Sequence, residues 1–442
     1  QRSAISDRQN KKADSCKLTA ESCLINPLKH SQSIGAAIAF QGIHNAIPVI
    51  HGAQGCNFLG KVLLTKHFRE PIALASTKLF TENVVMGSEE NLVSTIEGIM
   101  EKNNPDVIGI LTSGLSEVKG DDIKNAVKSA IRIPKSEIIF ISTPDYEGGL
   151  ETGYAKAVEA LIGIADCGMR NADNAPSYPP LKLRGGKGSY EIRDPKSEIK
   201  GQINVLAGSH LTPADFTELR EIIESFGLKP IILPVLSALD GSREGVAPLA
   251  KGGTGIDEIR SMGASEFTIA IGASMESPAR IMKEKFGIEY RVFGSIAGLR
   301  DTDMFIETLS MLSGKEVPLK YEKQRRILID SMRDAHFYLA GKKVCITLEH
   351  DLAEQTSAWL TEMAADVVEA NINDCDLFSI QGKFDLLISN SHAEDTAKRL
   401  GAKLYQMGFP VYKMLGNNQR VTIGYKGTLN HINEVANLLI GN

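Results

Sequence analysis

The chain has 442 residues, which at roughly 150 residues per domain suggests about three domains. Lys and Arg number 49 against 54 Asp and Glu, a formal charge of −5, and this balance argues against a nucleic-acid binder, which carries a basic excess or stripe. The composition is 43% hydrophobic and 23% charged, as expected of a globular protein with a substantial core. No apolar run reaches the roughly 18 residues needed to span a bilayer, and the polar N-terminal stretch shows no signal-peptide core.

Residues 1–23 are rich in Lys, Asp and Ser and predict a flexible tail. From Asn26 onward, short apolar runs alternate with helix-period segments. The runs are Pro48–His51, Val107–Leu111, Ile138–Ser142, Ile203–Ala207, Pro230–Leu233, Phe267–Ile271, Val344–Leu348 and Leu386–Ser389. Most are β-branched, apolar on both faces and bounded by turn residues, which predicts strands buried in parallel sheets. Between them, residues 89–103 place Leu92, Val93, Ile96, Ile99 and Met100 on one helical face, with Ser88 as the expected N-cap. Thr212-Pro213-Ala214-Asp215 predicts a cap followed by Pro at the first helical position, and Gly227 a stop. Ser391 and Glu394 have capping-box spacing.

This alternation predicts an α/β protein with doubly wound, mostly parallel sheets in three Rossmann-like domains. The expected division is 24–170, 202–318 and 341–442. A Pro/Gly-rich surface loop at 171–201 and a charged connecting helix at 319–340 separate them. Neither a Walker-type phosphate loop nor a well-placed dinucleotide fingerprint occurs. The Gly252-Gly253-Thr254-Gly255 and Gly148-Gly149 clusters read as turn chemistry.

The six cysteines are Cys16, Cys23, Cys56, Cys167, Cys345 and Cys375. None forms a C-x-x-C pair, so zinc ribbons, thioredoxin-like motifs and a self-contained ferredoxin site lack their spacing. The low density also excludes a secreted disulfide scaffold and predicts a reducing, cytoplasmic location. Cys16 and Cys23 read as bystander thiols in or near the tail, Cys345 as core, and Cys167 and Cys375 as neighbours of surface turns. Cys56 closes His51-Gly52-Ala53-Gln54-Gly55-Cys56, a glycine-flanked turn after an apolar strand. Open α/β sheets place ligands at the carboxyl ends of strands. Position alone leaves two readings open, an inert small hydrophobe and a metal-binding thiolate. One thiolate does not hold an iron–sulfur cluster, which takes four protein ligands.

The segments Asn26-Pro27-Leu28-Lys29, Gly35-Ala36, His51-Gly52-Ala53-Gln54-Gly55-Cys56, His67-Phe68-Arg69-Glu70-Pro71 and Gly120-Asp121-Asp122 resemble the nitrogenase component 1 superfamily. Ser225-Phe226-Gly227-Leu228, Lys323-Gln324-Arg325-Arg326, Asn390-Ser391-His392 and Gly408-Phe409-Pro410 agree. The resemblance covers nearly the whole chain from about residue 24. In catalytic β-type chains of this superfamily, three cysteines reach the P-cluster. The corresponding positions here are Ser31, Cys56 and Gly114. Two thiolates are therefore replaced, a pattern that resembles the β-type chains of the scaffold complexes on which the iron–molybdenum cofactor is matured.

That resemblance implies a set of properties. Cys56 would supply one ligand to a [4Fe-4S] cluster shared with a NifE-like α-type subunit in an α2β2 heterotetramer. The FeMo-cofactor precursor would be held by the complex, mainly by the partner. NifB or a carrier would donate it, NifH would dock transiently, and the catalytic nitrogenase would accept the product. No catalytic residue is expected in this chain. The alternatives are a catalytic nitrogenase β chain, against which Ser31 and Gly114 speak, and the β-type chain of a tetrapyrrole reductase, against which Cys56 and His67–Pro71 speak. His51 and His67 fit structural hydrogen bonding or support of a cluster, and His392 reads as local architecture. Arg69 and Glu70 have three possible partners: each other, the reductase or the partner subunit.

Overall fold

The computed structural model describes residues 29–80, 82, 87–120, 123, 125, 127, 136–165, 201–240, 245–370 and 377–440. The expected tail, almost all of the expected 171–201 loop, and Cys16, Cys23, Cys167 and Cys375 lie outside them, as do Asn26–Leu28 and Asp121–Asp122.

The first unit runs α1 (Gln32–Gln41), β1 (Ala46–His51), α2 (Gln54–Phe68), β2 (Ala75–Ser76), α3 (Glu89–Asn103), β3 (Val107–Thr112), α4 (Gly114–Lys119), β4 (Glu137–Ile141) and α5 (Leu150–Ile162). The second runs β5 (Gln202–Ala207), α6 (Pro213–Ser225), β6 (Lys229–Leu233), α7 (Ile256–Ser261), β7 (Phe267–Ile271), α8 (Glu276–Phe286), β8 (Tyr290–Phe293) and α9 (Leu299–Ser313). The long helix α10 (Leu319–Leu339) leads to β9 (Lys343–Thr347), α11 (His350–Glu362), β10 (Asp366–Glu369), β11 (Leu386–Ser389), α12 (Glu394–Leu400), β12 (Lys403–Gln406) and α13 (Gly424–Ile440).

Among the described residues the strands form three four-stranded sheets, ordered β2-β1-β3-β4, β6-β5-β7-β8 and β10-β9-β11-β12. Every pairing is parallel. The expected α/β class with doubly wound parallel sheets is therefore the observed one. The apolar runs mark every inner strand. They do not mark β2, β8, β10 and β12, all of which are edges. These four have one hydrogen-bonded neighbour and no two-sided apolar run, whereas the edges β4 and β6 carry one and were marked. Three of the four residues of β10, for example, are exposed.

One contiguous core joins the three units, with smaller clusters behind the first and third sheets. Helix α1 is buried along all ten residues and crosses α5 at two glycines. A Cβ on Gly35 would lie 1.8 Å from the Leu150 carbonyl oxygen, and one on Gly153 would lie 1.9 Å from that of Gln32. Only hydrogen side chains allow the two backbones this approach. The final helix α13 returns across α9 and α10. Gly424 N–H reaches Ile296 O at 2.8 Å, Tyr425 Oη donates to Asp303 at 2.6 Å, and Ser331 bonds Asn433 at 2.6 Å.

The capping expectations divide. At α6, Thr212 Oγ1 accepts the Asp215 N–H and the Asp215 carboxylate accepts the Thr212 N–H, with Pro213 at the first helical position. Ser88 does not cap α3. Its hydroxyl lies 3.2 Å from His51 Nε2 instead. The Ser391/Glu394 box does not form either. Asn390 Oδ1 accepts the His392 N–H at 2.9 Å, Ser391 Oγ bonds Gln406 at 2.6 Å, and Glu394 pairs with Lys398 and Lys413. A tertiary partner within reach outcompetes a local N–H for the same side chain.

Candidate cluster-ligand site

The first sheet reverses its strand order between β1 and β3, and α2 and α4 both begin at the carboxyl ends of those strands. This is the switch-point crevice of a doubly wound sheet. The two loops are pinned together. Ser113 Oγ donates to the His51 carbonyl at 2.9 Å, and a Cβ on Gly52 would come within 2.6 Å of that same hydroxyl. Ser113 also caps α4 through its bond with Ser116. Gly52 is thus required by close approach of the second loop.

Helix α2 starts two residues earlier than a simple turn reading suggests. Cys56 is its third residue, within the first turn rather than in a loop, and it is exposed. Nothing lies within 4 Å of a Cβ built on Gly55, so the surface beside the thiol is open to a bulky group. The first turn of α2 also presents unpaired backbone N–H groups, which favour negative charge. Cys345, the other described cysteine, is buried in β9 among Leu377, Ile380 and Leu387 and is core.

The two positions where the resemblance expects further thiolates are built differently. Ser31 is the N-terminal flank of α1 and makes no capping bond; its hydroxyl lies 2.9 Å from Ser33 Oγ. Gly114 opens α4, and its N–H donates to Asp145 Oδ2 at 3.1 Å. A Cβ there would meet the same oxygen at 3.1 Å. The Asp145 carboxylate therefore stands in tight contact with any side chain added at 114.

The histidines of the family motifs are buried and hydrogen-bonded within the chain. His51 is buried between Thr77 Oγ1 at 3.1 Å and Ser88 Oγ at 3.2 Å. His67 Nδ1 accepts the Val411 N–H at 2.9 Å, and its ring packs edge-on against Phe409. Burial pushes its pKa down to about 3, helped by nearby His30. Arg69 reaches the carbonyl oxygens of Tyr412 at 2.9 Å and Met414 at 3.4 Å. His67 and Arg69 thus clasp the first unit to the third, an outcome outside the three partners that the sequence reading offered for Arg69. His392 lies beside Tyr412 and packs as local architecture.

Both helices at the crevice expose large apolar side chains: Phe58 and Leu59, each 64% exposed on α2, and Val118, 79% exposed on α4. Tyr146 is also exposed. Sequence periodicity did not single these out, because an apolar residue on a helix is read by default as core-facing. Among the described residues no group of three or more His, Cys, Asp and Glu is arranged to hold a metal ion. Among the described residues, the donor this site offers is one exposed thiol. It fits a cluster whose other ligands come from another chain, and it does not fit a cluster held by this chain alone.

Three parallel four-stranded sheets around a common core, with a lone cysteine at the first switch point, define a component 1 type architecture. The family model "Nitrogenase component 1 type Oxidoreductase" matches residues 31–376 and 376–440, and the chain belongs to this family, in its NifN branch. The chain is 39% identical to the nitrogenase iron-molybdenum cofactor biosynthesis protein NifN of Rippkaea orientalis, covering 94% of each. It is 37% identical to the protein of the same name from Bradyrhizobium diazoefficiens, over 95% of this chain and 90% of that one. Among solved structures, "Nitrogenase Cp1 at pH 6.5" superposes with a TM-score of 0.83 at 28% identity, covering 98% of this chain and 96% of that chain. Among the described residues no helix is long and apolar enough to cross a membrane.

Proposed function

We propose that this chain is the β-type subunit of a scaffold complex on which the iron–molybdenum cofactor precursor is matured before it passes to the catalytic nitrogenase. Cys56 donates one thiolate to a [4Fe-4S] cluster at the interface with a NifE-like α-type subunit, which supplies the other three. The observation that carries this reading is the site's donor set. One exposed thiol stands on an open helix start, and Gly114, with no side chain to offer, is bonded through its N–H to Asp145. The apolar side chains of Phe58, Leu59, Leu115 and Val118 around the same crevice supply the kind of surface a permanent partner covers.

The precursor itself sits mainly in the partner. The cavity where the three units of this chain meet measures only about 50 Å³, and none of its lining residues is a cysteine. The α2β2 assembly receives the precursor from NifB or a carrier, and NifH docks on it transiently. This chain supplies part of that docking surface. The relatives named for cofactor biosynthesis support the pathway assignment.

The test is anaerobic iron quantification with Mössbauer spectroscopy on the chain co-purified with its α-type partner. Four-iron clusters, one per αβ pair and lost in Cys56→Ala with the circular dichroism spectrum unchanged, are the expected result. Unchanged iron content in Cys56→Ala removes this thiol from the ligand set. A P-cluster signature in the unmodified complex overturns the scaffold reading and points to a catalytic β chain.

A further inference from the structure

The loop after β4 carries Asp145 to the crevice of Cys56, and contacts from two other segments hold it there. Thr143 N–H donates to Thr112 Oγ1 at 2.7 Å and Thr143 Oγ1 to the Thr112 carbonyl at 2.5 Å, which fastens the loop to the end of β3. Gln32, the first residue of α1 and only 1% exposed, grips the loop on both sides of Asp145. Its Nε2 donates to the Pro144 carbonyl at 3.1 Å and also to that of Glu147. Gly114 N–H then donates to Asp145 Oδ2 at 3.1 Å.

These contacts set the carboxylate among the three positions where catalytic chains of the superfamily carry cluster cysteines. Ser31 directly precedes Gln32, and Gly114 is the hydrogen-bond donor itself. Cys56 follows on the adjoining loop, since His51 pairs with Thr112 across β1 and β3 and Ser113 Oγ bonds the His51 carbonyl. Asp145 and Cys56 are both exposed, at the one edge of the sheet where β1, β3 and β4 end.

The charge of Asp145 is not cancelled within the described chain. Its polar contact among the described residues is the Gly114 N–H, a neutral donor. Glu117, a second carboxylate at this edge, is engaged by two hydroxyls, those of Thr112 and Ser142, each at 2.5 Å from its Oε1. Lys119 of α4 reaches Ser88 Oγ at 3.3 Å and makes no ion pair with Asp145.

We propose that Asp145 is a tuning residue for the [4Fe-4S] cluster, its fixed carboxylate lowering the cluster's reduction potential. The inference rests on the ligand role given to Cys56 above. A one-electron reduction adds negative charge at the crevice, and a carboxylate held there opposes that gain. The opposition strengthens once a partner covers the exposed apolar side chains and excludes water. Because the loop is fastened at 143, 144, 145 and 147, the charge is not free to swing away when the electron arrives.

An anaerobic redox titration monitored by electron paramagnetic resonance, on the complex with the α-type partner, tests this. Asp145→Asn removes the charge and keeps an acceptor for the Gly114 N–H. It should be reduced at a more positive potential than the wild type, with four irons per αβ pair and an unchanged Mössbauer spectrum when oxidised. Asp145→Glu restores the charge and should titrate close to the wild type. Asp145→Ser serves as the neutral variant if Asp145→Asn does not assemble. Glu101→Gln removes an exposed charge near the other end of α3, toward the amino end of β3, and should leave the potential in place. An unmoved potential in the neutral variant, or an equal shift in Glu101→Gln, overturns the proposal. So does loss of iron or an altered Mössbauer spectrum in the neutral variants, because the carboxylate then binds iron instead of tuning it. Failure of the underlying ligand role is distinct, and shows as a wild-type complex without four-iron clusters or as Cys56→Ala that keeps its iron.

Discussion

The sharpest structural consequence concerns Gly35. In Gly35→Ala the new methyl group would sit 1.8 Å from the Leu150 carbonyl oxygen, 2.7 Å from its carbon and 2.9 Å from the Tyr154 nitrogen. All three are backbone atoms, so no side chain is free to swing away. Restoring an ordinary carbon–oxygen contact of roughly 3.3 Å requires α1 and α5 to part by about 1.5 Å. Overpacking in a rigid core typically costs about 1–3 kcal/mol. Here it also displaces a helix with ten buried residues, so a loss of at least about 3 kcal/mol is expected. Gly98 is the matched control. It too lies inside a helix, α3, but nothing stands within 4 Å of its would-be Cβ. Gly98→Ala should therefore stabilise by about 0.5–1 kcal/mol, from helix propensity alone. Urea unfolding of both variants, with exchange protection of α1 and α5 as the local readout, gives the comparison. A Gly35→Ala protein as stable as the wild type, or two variants shifted in the same direction, would refute the reasoning.

Four further outcomes are expected. Phe58→Ser with Val118→Ser should leave the chain's own unfolding midpoint unchanged and speed dissociation from the α-type partner, read by size-exclusion or surface-binding kinetics; an unaffected complex would place the interface elsewhere. Gly114→Cys should not recruit additional iron, because the Asp145 carboxylate crowds the new side chain; a second thiolate-bound iron by Mössbauer spectroscopy would contradict this. His67 is held neutral, with a folded pKa of about 3 against an ordinary 6.5, so its contribution is complete above pH 6.5 and lost as pH falls toward 3. His67→Gln, which keeps an acceptor for the Val411 N–H, should flatten the stability slope by one proton between pH 6.5 and pH 4, measured by thermal melts; an unchanged slope would show that His67 does not titrate on unfolding. Thr212→Ala removes both the α6 cap and a 2.6 Å bond to the Arg420 carbonyl, and should cost about 1–2 kcal/mol in denaturant titrations, with a loss below a few tenths counting against the cap.

Sequence alone determined the class of fold, the inner strands, the α6 cap and the one cysteine worth testing. Inner parallel strands such as β3 and β7 are apolar on both faces because neighbours cover both, and that requirement is written into consecutive residues. The cap at Thr212 is equally local, closed within four residues. Of the six edge strands, β4 and β6 were legible from their apolar runs, and β2, β8, β10 and β12, which lack such runs, were not. Ser88, Ser391 and Glu394 carried a local signal that a distant partner overrode.

Only the tertiary structure placed Cys56 inside the first turn of α2, put Asp145 against Gly114, and turned His67 and Arg69 into a clasp on residues 411–414. Gly35 and Gly153 are ordinary helix residues until two backbones cross. The junction of Glu151, His210, Ser274 and Asp351 leaves no sequence trace at all. Its members lie on separate units, tens of residues apart, and meet only when the three units pack.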